Sequence, residues 1–378
     1  MKVLIISDFY YPHWTGISKS IHYLTQALKD EFEFTVLTVK YEKNLSDQEV
    51  VDDVTIIRNS FLFRISRAKY SVLLLLEMIK IVFRFDLVLI NSPCSNIFPA
   101  AVISKLFGKK LLIFHQGDLV LPEGAINRII QKVYDLMSYI GFLLADKVAS
   151  YTNDYIKNSR LLPIFKGKSK AVLIPLPFFK NDDEPKYLKT NIAKKLSTIK
   201  KEKLLIGFAG RFVEEKGFDV LLKAIGILSK KRKDLHFVFA GATEIDYENF
   251  YEKNQLIIGE LIHSLTFLGL LTDKELKEYY QFLDLFVIPS RGECFGLVQA
   301  EALSNQVPVV SSNVPGSREV IKRTKFGLLF ESEDHRDLAK TIEKAISLKD
   351  QFSKNIHLVE SYFDYGKAKK QAREFFTS

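Results

Sequence analysis

Residues 284–312, DLFVIPSRGECFGLVQAEALSNQVPVVSS, constrain the fold of this chain more than any other stretch, because they read as strand, loop, helix and strand. Asp284–Ile288 is a short apolar run stopped by Pro289, the pattern of a strand buried on both faces of a parallel sheet. The loop Arg291–Phe295 follows. Gly296 lets the backbone turn closely, and Leu297, Val298, Ala300 and Leu303 then set a helical spacing that ends near Asn305. Val307–Ser311 opens the next strand. In an open α/β sheet, ligands collect beyond the carboxyl ends of the strands, and a helix starting there turns unpaired N–H groups toward an anion. Glu293 in the loop and Glu301 in the helix bracket that start. Carboxylates suit hydroxyl donors better than phosphate, and a nucleotide sugar has hydroxyls on both sides of its diphosphate.

The same alternation runs through the chain. Strands are expected at Lys2–Ser7, Phe34–Val39, Val54–Ile57, Leu87–Ile90, Leu111–His115, Lys147–Ser150 and Ala171–Ile174, then at Leu204–Ala209, Phe237–Ala240 and Leu265–Leu268, with helical patterns between most of them. That is an α/β chain of doubly wound parallel sheets, and 378 residues suffice for two cores. The stretch 178–203 reads as a linker between a first domain at 1–177 and a second at 204–361. It carries Pro185, the acidic run Asp182-Asp183-Glu184 and the lysine-rich KTNIAKKLSTIKKEK, and it offers no evident core.

Three further groups stand where ligands collect. GRFVEEKGF follows the strand Leu204–Ala209, and Arg211 and Lys216 converging there would neutralise a diphosphate; the alternative is a pair of solvated charges beside Glu214 and Glu215. His115 ends a strand in FHQGD, and Asp118 either orients an acceptor hydroxyl or caps a turn. Gly16, in the loop DFYYPHWTGIS after the first strand, is either a ligand-approaching or a simple turn glycine.

PSRGECFGLVQAEAL followed by PVVSS closely resembles the E-x7-E signature of family 4 retaining glycosyltransferases. The resemblance implies the GT-B fold, with two Rossmann-like domains facing a central cleft, and a last helix, within 362–378, that returns to the first domain. It implies that Glu293 holds sugar hydroxyls, that the Phe295-Gly296-Leu297 backbone and Val298 face sugar and phosphate, and that Glu301 holds the ribose. GRFVEEKG resembles the family's arginine and lysine element, so Arg211 and Lys216 would stabilise the departing diphosphate. By the same resemblance Gly210 and Gly241 let the backbone approach the donor, Leu270 and Leu271 border the base, and His115 faces the donor sugar. DFYYPHWTGIS is similar to the family's phosphate-side loop but has Thr15 in place of a glycine, leaving Gly16 as the position carried over. Where the family closes its helix with glycine this chain has Gln306, and the preceding Asn305 is expected to take the left-handed cap. Retention is ascribed in this family to attack on the face the diphosphate leaves, without a protein nucleophile.

The donor would be a hexose-type sugar on UDP or GDP, and the acceptor a glycan or a lipid-linked molecule. A sugar phosphorylase on the same fold and a non-catalytic nucleotide-sugar-binding protein are the rival readings. No D-x-D sequence occurs, so no metal or other cofactor is expected. A net charge of +9 points to anionic partners. Zinc spacings, helix-turn-helix cues and aromatic-glycine recognition motifs are missing, which argues against nucleic acid. Residues 58–84 carry Arg58, Arg64, Arg67, Lys69, Lys80 and Arg84 against Glu77 alone, interleaved with phenylalanine and leucine. Such a segment suits an anionic membrane surface, or else a crossover helix packing Val72, Leu75, Leu76, Ile79 and Phe83 on the sheet. With no signal-peptide pattern at Lys2–Ser7 and two cysteines, Cys94 and Cys294, in expected loops, a cytoplasmic protein peripheral to a membrane is expected.

Overall fold

A computed structural model describes residues 1–65, 68–121, 124–180, 190–245 and 248–378. Arg67, Asp182, Asp183, Glu184 and Pro185, named above, lie outside the described residues. The chain divides into two compact units, residues 1–177 with 363–378, and residues 178–362.

The first unit holds β1 (Lys2–Ile6), β2 (Glu33–Val39), β3 (Gln48–Val51), β4 (Val54–Asn59), β5 (Phe63–Ile65), β6 (Ala68–Tyr70), β7 (Leu87–Ser92), β8 (Lys110–His115), β9 (Lys147–Ser150) and β10 (Ser169–Ala171). Eight of these form one sheet in the order β10-β9-β8-β7-β1-β2-β4-β3, and β5 and β6 form a separate hairpin. Val3–Ile6, Leu87–Ile90 and Leu111–Phe114 are fully buried, which is why they read as continuous apolar runs rather than alternating ones. The terminal helix Tyr365–Thr377 packs beside the helix Gly16–Leu28, with Phe376 5.2 Å from the ring of Phe32.

The second unit holds β11 (Leu204–Ala209), β12 (Leu235–Ala240), β13 (Leu265–Phe267), β14 (Leu285–Ile288), β15 (Val309–Ser312) and β16 (Gly327–Phe330), all parallel, in the order β13-β12-β11-β14-β15-β16. Reversal of strand order beside β11 and β14 makes their carboxyl ends the switch point of the sheet.

Four expectations are corrected. The hairpin β3–β4 is antiparallel and turns on Asp52 and Asp53, both at positive φ; acidic residues tolerate that turn, whose signal is the flanking valines. β10 ends at Ala171, where a strand at Ala171–Ile174 was expected. The lysine-rich stretch is not coreless, since Thr190 caps a helix at Asn191–Lys200 whose Leu196 is fully buried and whose Lys200 pairs with Asp284. Its single buried leucine was masked by charge density. Finally, the helix Val72–Ile81 buries Leu74, Met78 and Ile81, while Val72, Leu76, Ile79 and Phe83 are exposed and Leu75 is half-buried. In VLLLLEMIKI almost every position is apolar, so spacing does not select a face. Two of its neighbouring cations lie inside the fold: Arg58 pairs with Glu49, and buried Lys69 sits 3.8 Å over the ring of Tyr41.

Candidate functional site at the carboxyl edge of the second sheet

Two loops of the second unit are locked together before any side chain reaches for a ligand. Gly217 has φ of 66°, and a Cβ there would lie 1.9 Å from the carbonyl oxygen of Pro289, so the loop after β11 rides directly on the loop after β14. Arg291 fastens the same contact. Its backbone N–H donates to Glu215 O at 2.8 Å, and its guanidinium donates to Glu214 O at 2.6 Å and to both oxygens of Asp219 at 2.9 Å. Glu293 is fixed from the other side, because its backbone bridges to Gly316, whose added Cβ would sit 2.1 Å from Cys294 O.

These constraints bring Lys216 Nζ to 2.7 Å from Glu293 Oε2. Burial opposes the ammonium, but Glu293 and Glu215 outweigh it and raise the Lys216 pKa above the ordinary lysine value. Both side chains keep some exposure, 22% and 13%. Arg211, 43% exposed, stands 4.0 Å from Glu215 at the same edge. Gly210 and Gly241 are in contact, a Cβ on Gly241 falling 2.0 Å from Gly210 O.

The helix Leu297–Ser304 begins beside this pair. Its cap, Gly296, is left-handed at φ of 75° and supplies no side-chain acceptor, so the first-turn N–H groups at Leu297 and Val298 meet no capping side chain. Phe295 is buried beneath it. Glu301 accepts a hydrogen bond from the buried Tyr280 hydroxyl at 2.9 Å. Leu271 is half-buried after β13, while Leu270 is exposed. The helix closes on Gln306 itself at φ of 58°, not on Asn305; Asn305 instead donates its side-chain amide to Glu301 O. Arg291, Asp219 and Tyr280 had no assigned role in the sequence, although Arg291 lies inside the motif.

The remaining candidates lie in the first unit. His115 is fully buried, with Nδ1 3.0 Å from Ser92 Oγ and Nε2 3.1 Å from Asp118 Oδ1. Burial opposes the Asp118 carboxylate, but His115 and the donated Arg160 N–H hold its pKa below the ordinary carboxyl value. Gly16 is the first residue of its helix, and a Cβ there would meet nothing within 4 Å. Thr15, the departure from the family loop, caps that helix in a capping box with Ser18.

Residues 189–359 match the family described as glycosyl transferases group 1. An uncharacterised glycosyltransferase of Methanocaldococcus jannaschii is 28% identical over 360 residues, 92% of this chain and 89% of its own. The sucrose-phosphate synthase of Thermosynechococcus elongatus superposes with a TM-score of 0.79 at 17% identity, over 100% of this chain and 98% of that one. HepE of Anabaena, solved in complex with UDP-glucose, gives 0.76 at 16% identity over 100% and 99%. The chain is thus a glycosyltransferase of the GT-B fold, and its residues 189–359 are a domain of the glycosyl transferases group 1 family.

Proposed function

We propose that this enzyme is a family 4 retaining glycosyltransferase that moves a hexose-type sugar from a UDP- or GDP-linked donor to a glycan or lipid-linked acceptor. The observation that carries the reading is the Lys216–Glu293 pair beside the uncapped start of the helix Leu297–Ser304. A diphosphate bound there would take Lys216, Arg211 and the Leu297 and Val298 amides as its partners, with Phe295 and Gly296 closing the backbone around the sugar phosphate. Glu293, released from Lys216, would accept hydrogen bonds from the sugar hydroxyls. Glu301 would hold the ribose through Oε1 while Tyr280 fixes Oε2, and Leu271 would border the base. At Gly210 and Gly241 the protein backbone would approach the donor.

In the step itself, the bond from the anomeric carbon to the diphosphate oxygen breaks as the acceptor oxygen bonds on the same face. The acceptor proton passes to the leaving phosphate oxygen, and the cations neutralise the developing charge. This assignment gives a metal no required part. By resemblance to that family, His115 enters as a group for the donor sugar, Gly16 as a glycine of the phosphate-side loop and Asp118 as a group that serves the acceptor, with the basic segment 58–84 as a contact with an anionic membrane surface.

The test is release of nucleoside diphosphate from a panel of nucleotide sugars in the presence of glycan or lipid extracts. Release by the wild type that Glu293→Gln abolishes, with the product keeping the donor's anomeric configuration by NMR, supports the reading. Inverted product, or a fully active variant, refutes it. Formation of sugar 1-phosphate on adding inorganic phosphate would identify a phosphorylase.

A further inference from the structure

The helix Ala125–Leu144 wears its apolar side outward. It turns Tyr134, Ser138, Gly141 and Phe142 into the first unit, yet Ile126, Ile129, Val133, Leu136 and Leu143, at helical spacing, are between 51% and 75% exposed. A water-facing helix has the opposite pattern, so this stripe lacks a partner among the described residues. Arg128 and Lys132 are exposed alongside it, and the helix's one acidic residue, Asp135, is paired with Arg160 at 2.7 Å.

Topology extends the feature. The connections β4 to β7, β7 to β8 and β8 to β9 all step the same way across the sheet, and right-handed crossovers place their helices on one face. There the helix Ile97–Leu106 packs against both Val72–Ile81 and Ala125–Leu144. Its end exposes Leu106, and Val72–Ile81 shows Leu76 and Ile79 to solvent with Lys80 beside them. One side of the first unit therefore combines outward apolar side chains with the exposed cations Arg128 and Lys132, while Lys80 is paired with Glu77 at 3.6 Å.

We propose that this face docks on an anionic bilayer, with the helix Ala125–Leu144 lying in the interface plane. Its apolar stripe would sink to the headgroup boundary, and Arg128 and Lys132 would meet lipid phosphates. Charge selects this occupant. A second copy docked through the same surface would oppose like charges across the two-fold axis. Crossing the membrane is not the mode, because no helix among the described residues is long and apolar enough to span it. The inference does not depend on which donor or acceptor the enzyme uses, and it moves the main contact from segment 58–84 to a different helix.

The experiment is vesicle flotation of the full-length protein with phosphatidylcholine alone or mixed with phosphatidylglycerol. Wild type should float with the anionic vesicles, stay behind with the neutral ones, and detach at high salt. Arg128→Gln with Lys132→Gln should weaken binding by roughly fivefold per charge. Ile129→Ser with Val133→Ser should weaken it by about tenfold or more, at an unchanged melting temperature because both side chains are exposed. Failure of the wild type to float overturns the proposal. So does equal flotation of the serine pair, and so does a lipid-free protein whose self-association, rather than lipid binding, is lost in that pair.

Discussion

The carboxyl edges of the two sheets are built from the same topology but treat their polar groups in opposite ways. In the first unit a cluster of polar side chains satisfies itself, while the buried amide nitrogen of neighbouring Asn96 meets no partner among the described residues. Asp8 accepts from Ser95 N at 2.8 Å and from the Cys94 thiol at 3.3 Å, Asn91 donates to Ser7 Oγ at 3.0 Å, Tyr151 donates to Gln116 at 2.6 Å, and His115 has both nitrogens occupied. All of these side chains are buried. In the second unit the corresponding edge is made of glycine backbone, an uncapped helix start and a cation–carboxylate pair that keeps some exposure. A closed network makes a rigid wall, whereas a site that must exchange its internal partners for a ligand has to leave them within reach of solvent.

The comparison breaks most visibly if the open edge is disarmed. Lys216→Ala removes the cation that faces Glu293, and turnover of a nucleotide sugar should fall by about 10²- to 10³-fold, as for loss of one preorganised electrostatic group. Steady-state kinetics on the purified variant check this. The support beneath the edge is next. Gly217→Ala combines a left-handed backbone with a clash against Pro289 O, and should destabilise the second unit by roughly 3 kcal/mol in urea denaturation. In the closed edge, His115→Ala strands the buried Ser92 hydroxyl and Asp118, at a cost of about 1–3 kcal/mol in the first unit.

The two carboxylates of that closed edge should also titrate in opposite senses. Burial raises the Asp8 pKa, so the native state keeps a proton that the unfolded chain has released. Asp8 therefore makes stability fall as pH rises from the ordinary carboxyl pKa, about 4, to its raised native value. Asp118, with its lowered pKa, contributes stability above the ordinary value that is lost as pH falls through the native one. Denaturation at a series of pH values should show Asp8→Asn removing the first slope and leaving the second. The smallest effect is expected at Gln306, the left-handed helix end, where Gln306→Gly should stabilise by about 1 kcal/mol.

Most strands were legible because parallel strands buried on both faces are plain apolar runs, and so were the motif loops, whose glycines and charges sit at strand ends. Two strands were not: GLLF at β16 and QEVV at β3 each lie at the edge of a sheet, without the run of buried apolar residues that marks a central strand. One helix of the first unit misled for a different reason. Reading apolar residues as inward is sound for a helix with one apolar stripe, but Val72–Ile81 is apolar nearly all round. At the candidate site the sequence supplied Glu293, Lys216 and Arg211 but not Arg291, because a residue that braces two loops is recognised only when both loops are in view. Equally, the spacing of Lys216 and Glu293 along the chain held no sign that the two would pair.

Calorimetric titration of UDP and GDP, without acceptor or sugar, probes the open edge most directly. One of the two should bind wild type, Arg211→Ala and Lys216→Ala should each weaken it by about tenfold or more, and Asp8→Asn should leave it unchanged. Equal affinity in all three variants, or no binding by the wild type, would contradict the placement of the diphosphate at the carboxyl edge of the second sheet.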